Sequence, residues 1–180
     1  MAQFLLQMAG WMGSGKSTIA LAVGSSTGAV VLDHDTTKSA VISAGVPHPP
    51  AGAVSYEVIF DLARDLLDQG HSVIIDSPAV YEAIPARGMA LATAASATYF
   101  FVECACPDGV AGQRIELRHR RPSQVAEAEH AAEVRASPTR RPHRPRKGAL
   151  VVDTTEPLID CVAAVLAYLA TPGASGSATL

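Results

Sequence analysis

The 180-residue sequence is poor in aromatic residues and cysteines and has no long hydrophobic run. Aromatic residues make up only 5% of the chain, so we expect aliphatic side chains to dominate the core. The three cysteines have no metal-ligand spacing, and we interpret them as buried or idle thiols in a reducing compartment. Because neither a membrane-length apolar run nor a basic leader is visible, we expect a cytoplasmic protein without a membrane partner.

The chain length and the charge distribution set the next expectations. We expect a single domain over residues 1–170, which is long enough for a substantial core, and a disordered tail over 171–180. The formal net charge is −3, yet residues 114–147 carry ten lysines and arginines against four acidic residues. This basic third predicts an anionic partner, which either nucleotide phosphates or a nucleic acid would supply.

Five short apolar runs alternate with helix-like segments along the chain. Alternation of this kind is typical of βαβ units and predicts an α/β fold, with five parallel strands covered by helices on both faces. The predicted strands are 4–8, 29–32, 72–75, 98–102 and 149–152. The predicted helices are 18–23, 37–43, 54–69, 84–95 and 158–169, with a proline-rich turn at 47–50.

Residues 10–18, Gly-Trp-Met-Gly-Ser-Gly-Lys-Ser-Thr, match the phosphate-binding pattern G-x-x-x-x-G-K-[ST] between a predicted strand and a predicted helix. In such a loop, backbone N–H groups converge on phosphate oxygens at the positive end of the helix dipole. Lys16 is expected to reach the β- and γ-phosphates, and the Ser17 hydroxyl to ligate Mg²⁺. The alternative is a glycine-rich turn that binds nothing. The predicted nucleotide-binding residues of the loop are Gly10, Gly13, Ser14, Gly15, Lys16, Ser17 and Thr18.

Two of the other predicted strands lead into carboxylates at the edge of the sheet where parallel strands place their ligands. Asp76 ends an apolar strand in the Walker B pattern and is predicted to hold Mg²⁺ beside Ser17, although it could instead cap the next helix. Either Asp33 or Asp35 can accept the proton of an attacking hydroxyl, and Asp35 could also cap the short helix that follows. His34 is an alternative base, but side chains alternate along a strand, so we expect His34 to face away from the side on which Asp33 and Asp35 lie.

A basic segment follows the fourth predicted strand, and we expect it to form a small helical lid over about residues 112–135, ahead of a Pro/Arg-rich loop over 136–148. Arg114 and Arg118 are four residues apart, so both can point from one helix face at the same phosphate chain. In phosphotransferases, arginines of such a lid neutralise charge that develops in the transition state. The alternative is a solvated arginine face paired with Glu116.

Together these residues resemble the small P-loop kinases of the polynucleotide kinase and chloramphenicol phosphotransferase type, over most of the chain. The resemblance implies a P-loop NTPase three-layer sandwich that uses Mg²⁺ with ATP, or alternatively GTP. It implies Asp35 as the catalytic base, with Lys16 and Arg118 as further catalytic residues and Arg114 near the adenine. The family's Asp-x-x-Arg pattern reads Asp-Thr-Thr-Lys at 35–38, so Lys38 replaces an arginine without its bidentate geometry.

The pattern is compatible with three functions. The first is an ATP- and Mg²⁺-dependent phosphotransferase acting on a hydroxyl of a small molecule, such as an antibiotic or a related metabolite, with Lys38 and Tyr56 as acceptor contacts. The second is a 5′-hydroxyl polynucleotide kinase, which is disfavoured because Lys38 is the only cation between Lys16 and Arg64. The third is an ATPase module without an acceptor. It is disfavoured because serine and proline follow the Walker B carboxylate, in place of a glutamate or glutamine that orients water.

Overall fold

The computed structural model describes residues 2–117, 122–124 and 148–171. Arg118, most of the predicted lid and most of the predicted Pro/Arg-rich loop lie outside the described residues, as does the predicted tail from residue 172 onward.

Five parallel strands form the central sheet in the order β2-β3-β1-β4-β5. The strands are β1 (Phe4–Ala9), β2 (Val30–Asp33), β3 (Val73–Asp76), β4 (Thr98–Ala105) and β5 (Ala149–Asp153). Every residue of the central strand β1 is buried, because helices cover both faces of the sheet. The predicted α/β fold with five parallel strands is therefore confirmed.

Helices surround the sheet, and residues 122–124 are helical as well. The longer helices are α1 (Lys16–Thr27), α2 (His34–Ser43), α3 (His48–Asp68), α4 (Ala83–Ala94), α5 (Asp108–Leu117) and α6 (Leu158–Leu169). Side chains of β1 alternate between two cores: Leu6 packs with α1 and α6, whereas Leu5 packs with α3 and α4. None of the helices in the described ranges is long and apolar enough to cross a membrane.

Helices α2 and α3 begin well before the residues that the sequence pattern predicts. The predicted turn at 47–50 is wrong, because α3 starts at His48 and takes two prolines into its first turn. Proline is accepted there because the N–H groups of a first turn have no partner within the helix. Helix α2 follows β2 without a loop, since Asp33 Oδ1 accepts hydrogen bonds from the N–H groups of Asp35 (2.8 Å) and Thr36 (3.2 Å).

The cysteines are all free thiols. Cys104 and Cys161 are buried and Cys106 is half-buried. Burial raises the pKa of the Cys104 thiol to about 12, which keeps it protonated and unreactive. The structure thus agrees with the interpretation of buried thiols for two of the three.

Candidate active site

The loop between β1 and α1 packs so tightly that two of its glycines cannot be replaced. A Cβ atom on Gly10 would lie 2.4 Å from the carbonyl oxygen of Cys104, and one on Gly13 would lie 2.5 Å from that of Ala111. Both glycines also have positive φ angles, 132° and 81°, which L side chains rarely adopt. The end of β4 and the first half of α5 therefore fix the path of the loop.

Thr154, the residue after β5, braces the same loop from the other side. Its Oγ1 donates a hydrogen bond to the carbonyl oxygen of Ser14 (2.8 Å) and accepts one from Nη1 of Arg114 (2.9 Å). Nη2 of Arg114 donates to the carbonyl oxygen of Thr154 at 2.6 Å. In this structure Arg114 holds the loop through Thr154, while its predicted contact with the adenine stays a prediction.

The cationic and hydroxyl groups of the loop sit at the start of α1. Nζ of Lys16 donates to the carbonyl oxygen of Trp11 at 2.9 Å, so the lysine folds back over the loop. The side chains of Ser17 and Thr18 are exposed in the first helical turn. The Ser14 hydroxyl is buried without a hydrogen-bond partner among the described residues. The loop thus keeps donors available for an anion at the positive end of the helix dipole.

Asp76 at the end of β3 has the environment of a magnesium ligand. Its side chain is only 4% exposed, and Oδ1 is buried with no hydrogen-bond partner in the described ranges. Burial raises the pKa of Asp76, and the Lys16 charge and the nearby Ser17 hydroxyl oppose that rise only in part. A buried carboxylate oxygen beside a hydroxyl is a hard donor set that fits Mg²⁺.

Few protein groups near Asp76 could hold a metal ion. The described residues contain no group of three His, Cys, Asp or Glu side chains that could hold a metal ion by themselves. Mg²⁺ in nucleotide-binding proteins takes most of its ligands from phosphates and water, with one or two protein oxygens. Asp76 and Ser17 are the residues that could hold a metal ion arriving with a nucleotide, and their assignment as ligands stays a prediction.

Asp35 lies in the first turn of α2 with its carboxylate held in place. Nε2 of Gln124 donates to Oδ2 at 2.7 Å, and Nδ1 of His34 lies 3.9 Å from Oδ1. Burial alone would raise the pKa of Asp35, but His34, the Gln124 amide and the charge of Lys16 outweigh it. The pKa therefore lies well below its ordinary value, and Asp35 is ionised at neutral pH.

His34 turns toward Asp35, contrary to the expectation from strand alternation. That expectation is wrong because β2 ends at Asp33, so His34 follows the geometry of a helix. The His34 ring is buried and stacks on Tyr56, with ring centroids 4.0 Å apart, and its Nε2 lies 2.9 Å from Oγ of Ser55. Tyr56 itself is only 7% exposed. Its predicted contact with an acceptor stays a prediction, and in this structure Tyr56 supports His34.

Lys38, the other predicted acceptor contact, lies one turn beyond Asp35 on α2. It is 6% exposed, and a Cβ on Gly52 of α3 would lie 3.9 Å from its Cε. The aliphatic stem of Lys38 thus packs against the start of α3. Its role at the acceptor also stays a prediction.

Comparison with known proteins gives the family. The model of a family described as an AAA domain matches residues 5–138. The chain belongs to the AAA domain family. No curated protein matches this AAA domain protein.

Solved structures share the fold of this AAA domain protein at low sequence identity. The APS kinase of Mycobacterium tuberculosis, in complex with AMPPNP and APS, is 19% identical with a TM-score of 0.71, covering 94% of this chain and 99% of that one. A sugar kinase from Janibacter sp. HTCC2649 is 21% identical with a TM-score of 0.66, covering 97% and 98%. A gluconokinase from Sinorhizobium meliloti 1021 is 21% identical with a TM-score of 0.59, covering 93% and 91%. The AAA domain protein therefore has the fold of P-loop kinases.

Two residues of the site in this AAA domain protein, Thr154 and Gln124, belong to no recognisable sequence motif. Thr154 could have been found from its position, because it follows a parallel strand at the edge where ligands bind. Gln124 could not, since 89 residues separate it from Asp35 and no local pattern connects them.

Proposed function

We propose that this protein is an ATP- and Mg²⁺-dependent phosphotransferase that moves the γ-phosphoryl group to a hydroxyl of a small molecule. The observation that carries the proposal is the position of Asp35, which follows the carboxyl end of β2 in the first turn of α2 and has its carboxylate held by Nε2 of Gln124 at 2.7 Å. A carboxylate held at this edge of a P-loop fold can accept the proton of an attacking hydroxyl. The kinase fold of the structural neighbours supports the same reaction class.

Each side chain takes a defined part in the proposed reaction. Lys16 leaves the carbonyl oxygen of Trp11 and binds the β- and γ-phosphates. Mg²⁺, when bound, neutralises phosphate charge, and Ser17 and Asp76 would hold it. The acceptor oxygen forms a bond to the γ-phosphorus while the bond to the β–γ bridging oxygen breaks. ADP leaves, and the hydroxyl proton passes to Asp35.

The nucleotide and the lid complete the proposal. The bound nucleotide is ATP, with GTP as the alternative, and Arg114 would approach it from α5. Arg118, which lies outside the described residues, would neutralise charge in the transition state, as the resemblance to polynucleotide kinase and chloramphenicol phosphotransferase implies. The scarcity of cations on the acceptor side favours a small acceptor, because a polynucleotide needs several cations for its phosphates and Lys38 is the only lysine or arginine between Lys16 and Arg64.

An ADP-release assay with Mg-ATP tests this function. It compares no acceptor, a panel of hydroxylated small molecules, and 5′-hydroxyl oligonucleotides. We expect acceleration by a small molecule. Rapid release without an acceptor would replace the proposal by an ATPase, and acceleration by oligonucleotides alone would replace it by a polynucleotide kinase.

Asp35→Asn tests the proposed base in the same assay. Its amide oxygen can still accept the hydrogen bond from Gln124, so the local structure is preserved. We expect transfer to fall by about two orders of magnitude or more while ATP still binds, as is usual when a positioned base is lost. Asp61→Asn is the matched control, because Asp61 is an exposed carboxylate paired with Arg64 on α3. An Asp35→Asn protein with the transfer rate of the wild type would refute the role of Asp35.

A further inference from the structure

Gln124 contacts the carboxylate of Asp35 directly. Its Nε2 donates to Oδ2 of Asp35 at 2.7 Å, and the glutamine side chain is buried, with an exposed fraction of only 6%. A buried amide that donates to an ionised oxygen forms a strong, directional hydrogen bond. The contact therefore restricts the rotation of the carboxylate.

Ser123 attaches this glutamine to α2 at a second place. The Ser123 hydroxyl donates to the carbonyl oxygen of Asp35 (3.2 Å), and the Ser39 hydroxyl donates to the Ser123 hydroxyl (2.9 Å). The Ser123 N–H also donates to Oγ of Ser39 at 3.3 Å. Ser123 is fully buried. The backbone that carries Gln124 is thus hydrogen-bonded to the same helical turn that carries Asp35.

The two carboxylate oxygens of Asp35 have different surroundings. Oδ2 accepts the hydrogen bond from Gln124, whereas Oδ1 lies 3.9 Å from Nδ1 of His34, beyond hydrogen-bond distance. Asp33 caps α2, so the Asp35 side chain is not needed for that purpose. Among the described residues, Oδ2 therefore has the close hydrogen bond and Oδ1 only the longer contact with His34, so we take Oδ1 as the oxygen that receives the proton.

We propose that Gln124 is a positioning residue that orients Asp35 through Oδ2, anchored by the hydrogen bonds between Ser123 and Ser39, so that Oδ1 faces the acceptor hydroxyl. This inference rests on the proposed phosphotransferase function. Gln124 itself touches neither nucleotide nor acceptor in this scheme. It acts through the carboxylate, whose direction it sets.

Gln124→Leu tests the inference, because leucine has similar size but no donor. We expect kcat for phosphoryl transfer to fall by about tenfold to a hundredfold, the equivalent of one hydrogen bond to a charged group, with KM for ATP unchanged. Gln113→Leu is the matched control, since Gln113 is an exposed glutamine on α5. Ser123→Ala keeps the amide and loosens its anchor, and it should give a smaller loss of kcat.

The pH dependence separates positioning from a merely structural role. The Gln124 hydrogen bond stabilises the ionised form of Asp35, so its loss raises the pKa of that carboxyl. The acid limb of the pH–rate profile should therefore move to higher pH in Gln124→Leu and stay in place in Gln113→Leu. NMR titration of the Asp35 carboxyl in the nucleotide-free protein should show the same direction without turnover.

The outcomes distinguish this inference from the proposed function. One result would overturn the inference alone: the wild type transfers the phosphoryl group, Asp35→Asn does not, and Gln124→Leu changes neither the transfer rate nor the acid limb of the pH–rate profile. A lower melting temperature of Gln124→Leu with an unmoved acid limb would overturn it as well. Absence of transfer by the wild type to every acceptor would overturn both.

Discussion

Thr154→Val should loosen the phosphate-binding loop without changing the size of the side chain. The hydroxyl it removes donates to the carbonyl oxygen of Ser14 at 2.8 Å and accepts from Arg114 at 2.9 Å. A neutral hydrogen bond contributes about 0.5–1.5 kcal/mol and one to a charged group about 1.5–3 kcal/mol. Arg114 keeps its second bond, to the Thr154 carbonyl oxygen. We therefore expect a loss near the lower end of the sum, about 2 kcal/mol of unfolding free energy.

A loss of that size lowers the melting temperature of a protein of this length by about 4–8 °C. The substituted methyl group also cannot approach the Ser14 carbonyl oxygen as closely as a hydroxyl, so the loop must shift and KM for ATP should rise. Thermal unfolding and steady-state kinetics measure the two effects. Thr155→Val is the control, because within the described ranges the Thr155 hydroxyl donates a single, exposed hydrogen bond, to Asp153. A Thr154→Val protein that melts within about 1 °C of the wild type would refute the bracing role.

Two further substitutions should raise stability. Asp76→Asn should increase the melting temperature of the nucleotide-free protein at neutral pH and abolish the extra stabilisation that Mg²⁺ adds to ATP. Burial raises the pKa of the Asp76 carboxyl, so the stability that the protonated carboxyl contributes is present in acid and is lost as pH rises through the folded-state pKa. Thermal unfolding across pH tests this, and an Asp76→Asn protein that melts below the wild type at neutral pH would contradict it. Ser96→Gly should stabilise by about 1 kcal/mol, or about 2–4 °C, because Ser96 follows α4 with a φ of 55°, where glycine is unstrained. A melting temperature no higher than that of Ser96→Ala would contradict it.

The fold could be predicted largely from local patterns. The apolar runs locate all five strands to within a few residues, because buried parallel strands are nearly continuous stretches of apolar residues. The phosphate-binding loop is a contiguous motif, and its strand and helix context is confirmed. The starts of α2 and α3 could not be placed, since one depends on the Asp33 cap and the other on prolines that suit a turn as well as a first helical turn.

The surroundings of the site residues depend on contacts between distant parts of the chain. The hydrogen bond between Thr154 and Ser14 spans 140 residues, and the one between Gln124 and Asp35 spans 89. A motif shows which side chains are chemically suitable but not what holds them. The burial of Tyr56 and Lys38 likewise follows from the packing of α2 against α3, which residue spacing does not reveal.

The strand order has a consequence for how such a protein can change over time. β1 lies in the middle of the sheet, with β2 and the Asp35 turn on one side and β5 with Thr154 on the other. On the proposed function, the β2 side of the sheet selects the acceptor and the β5 side holds the nucleotide, and the phosphate-binding loop after β1 lies between them. Substitutions in α2 and α3 could thus redirect the chain to a new acceptor while the brace between Thr154, Arg114 and Ser14 stays intact. Exchange of residues 34–68 between relatives would transfer acceptor choice as a unit.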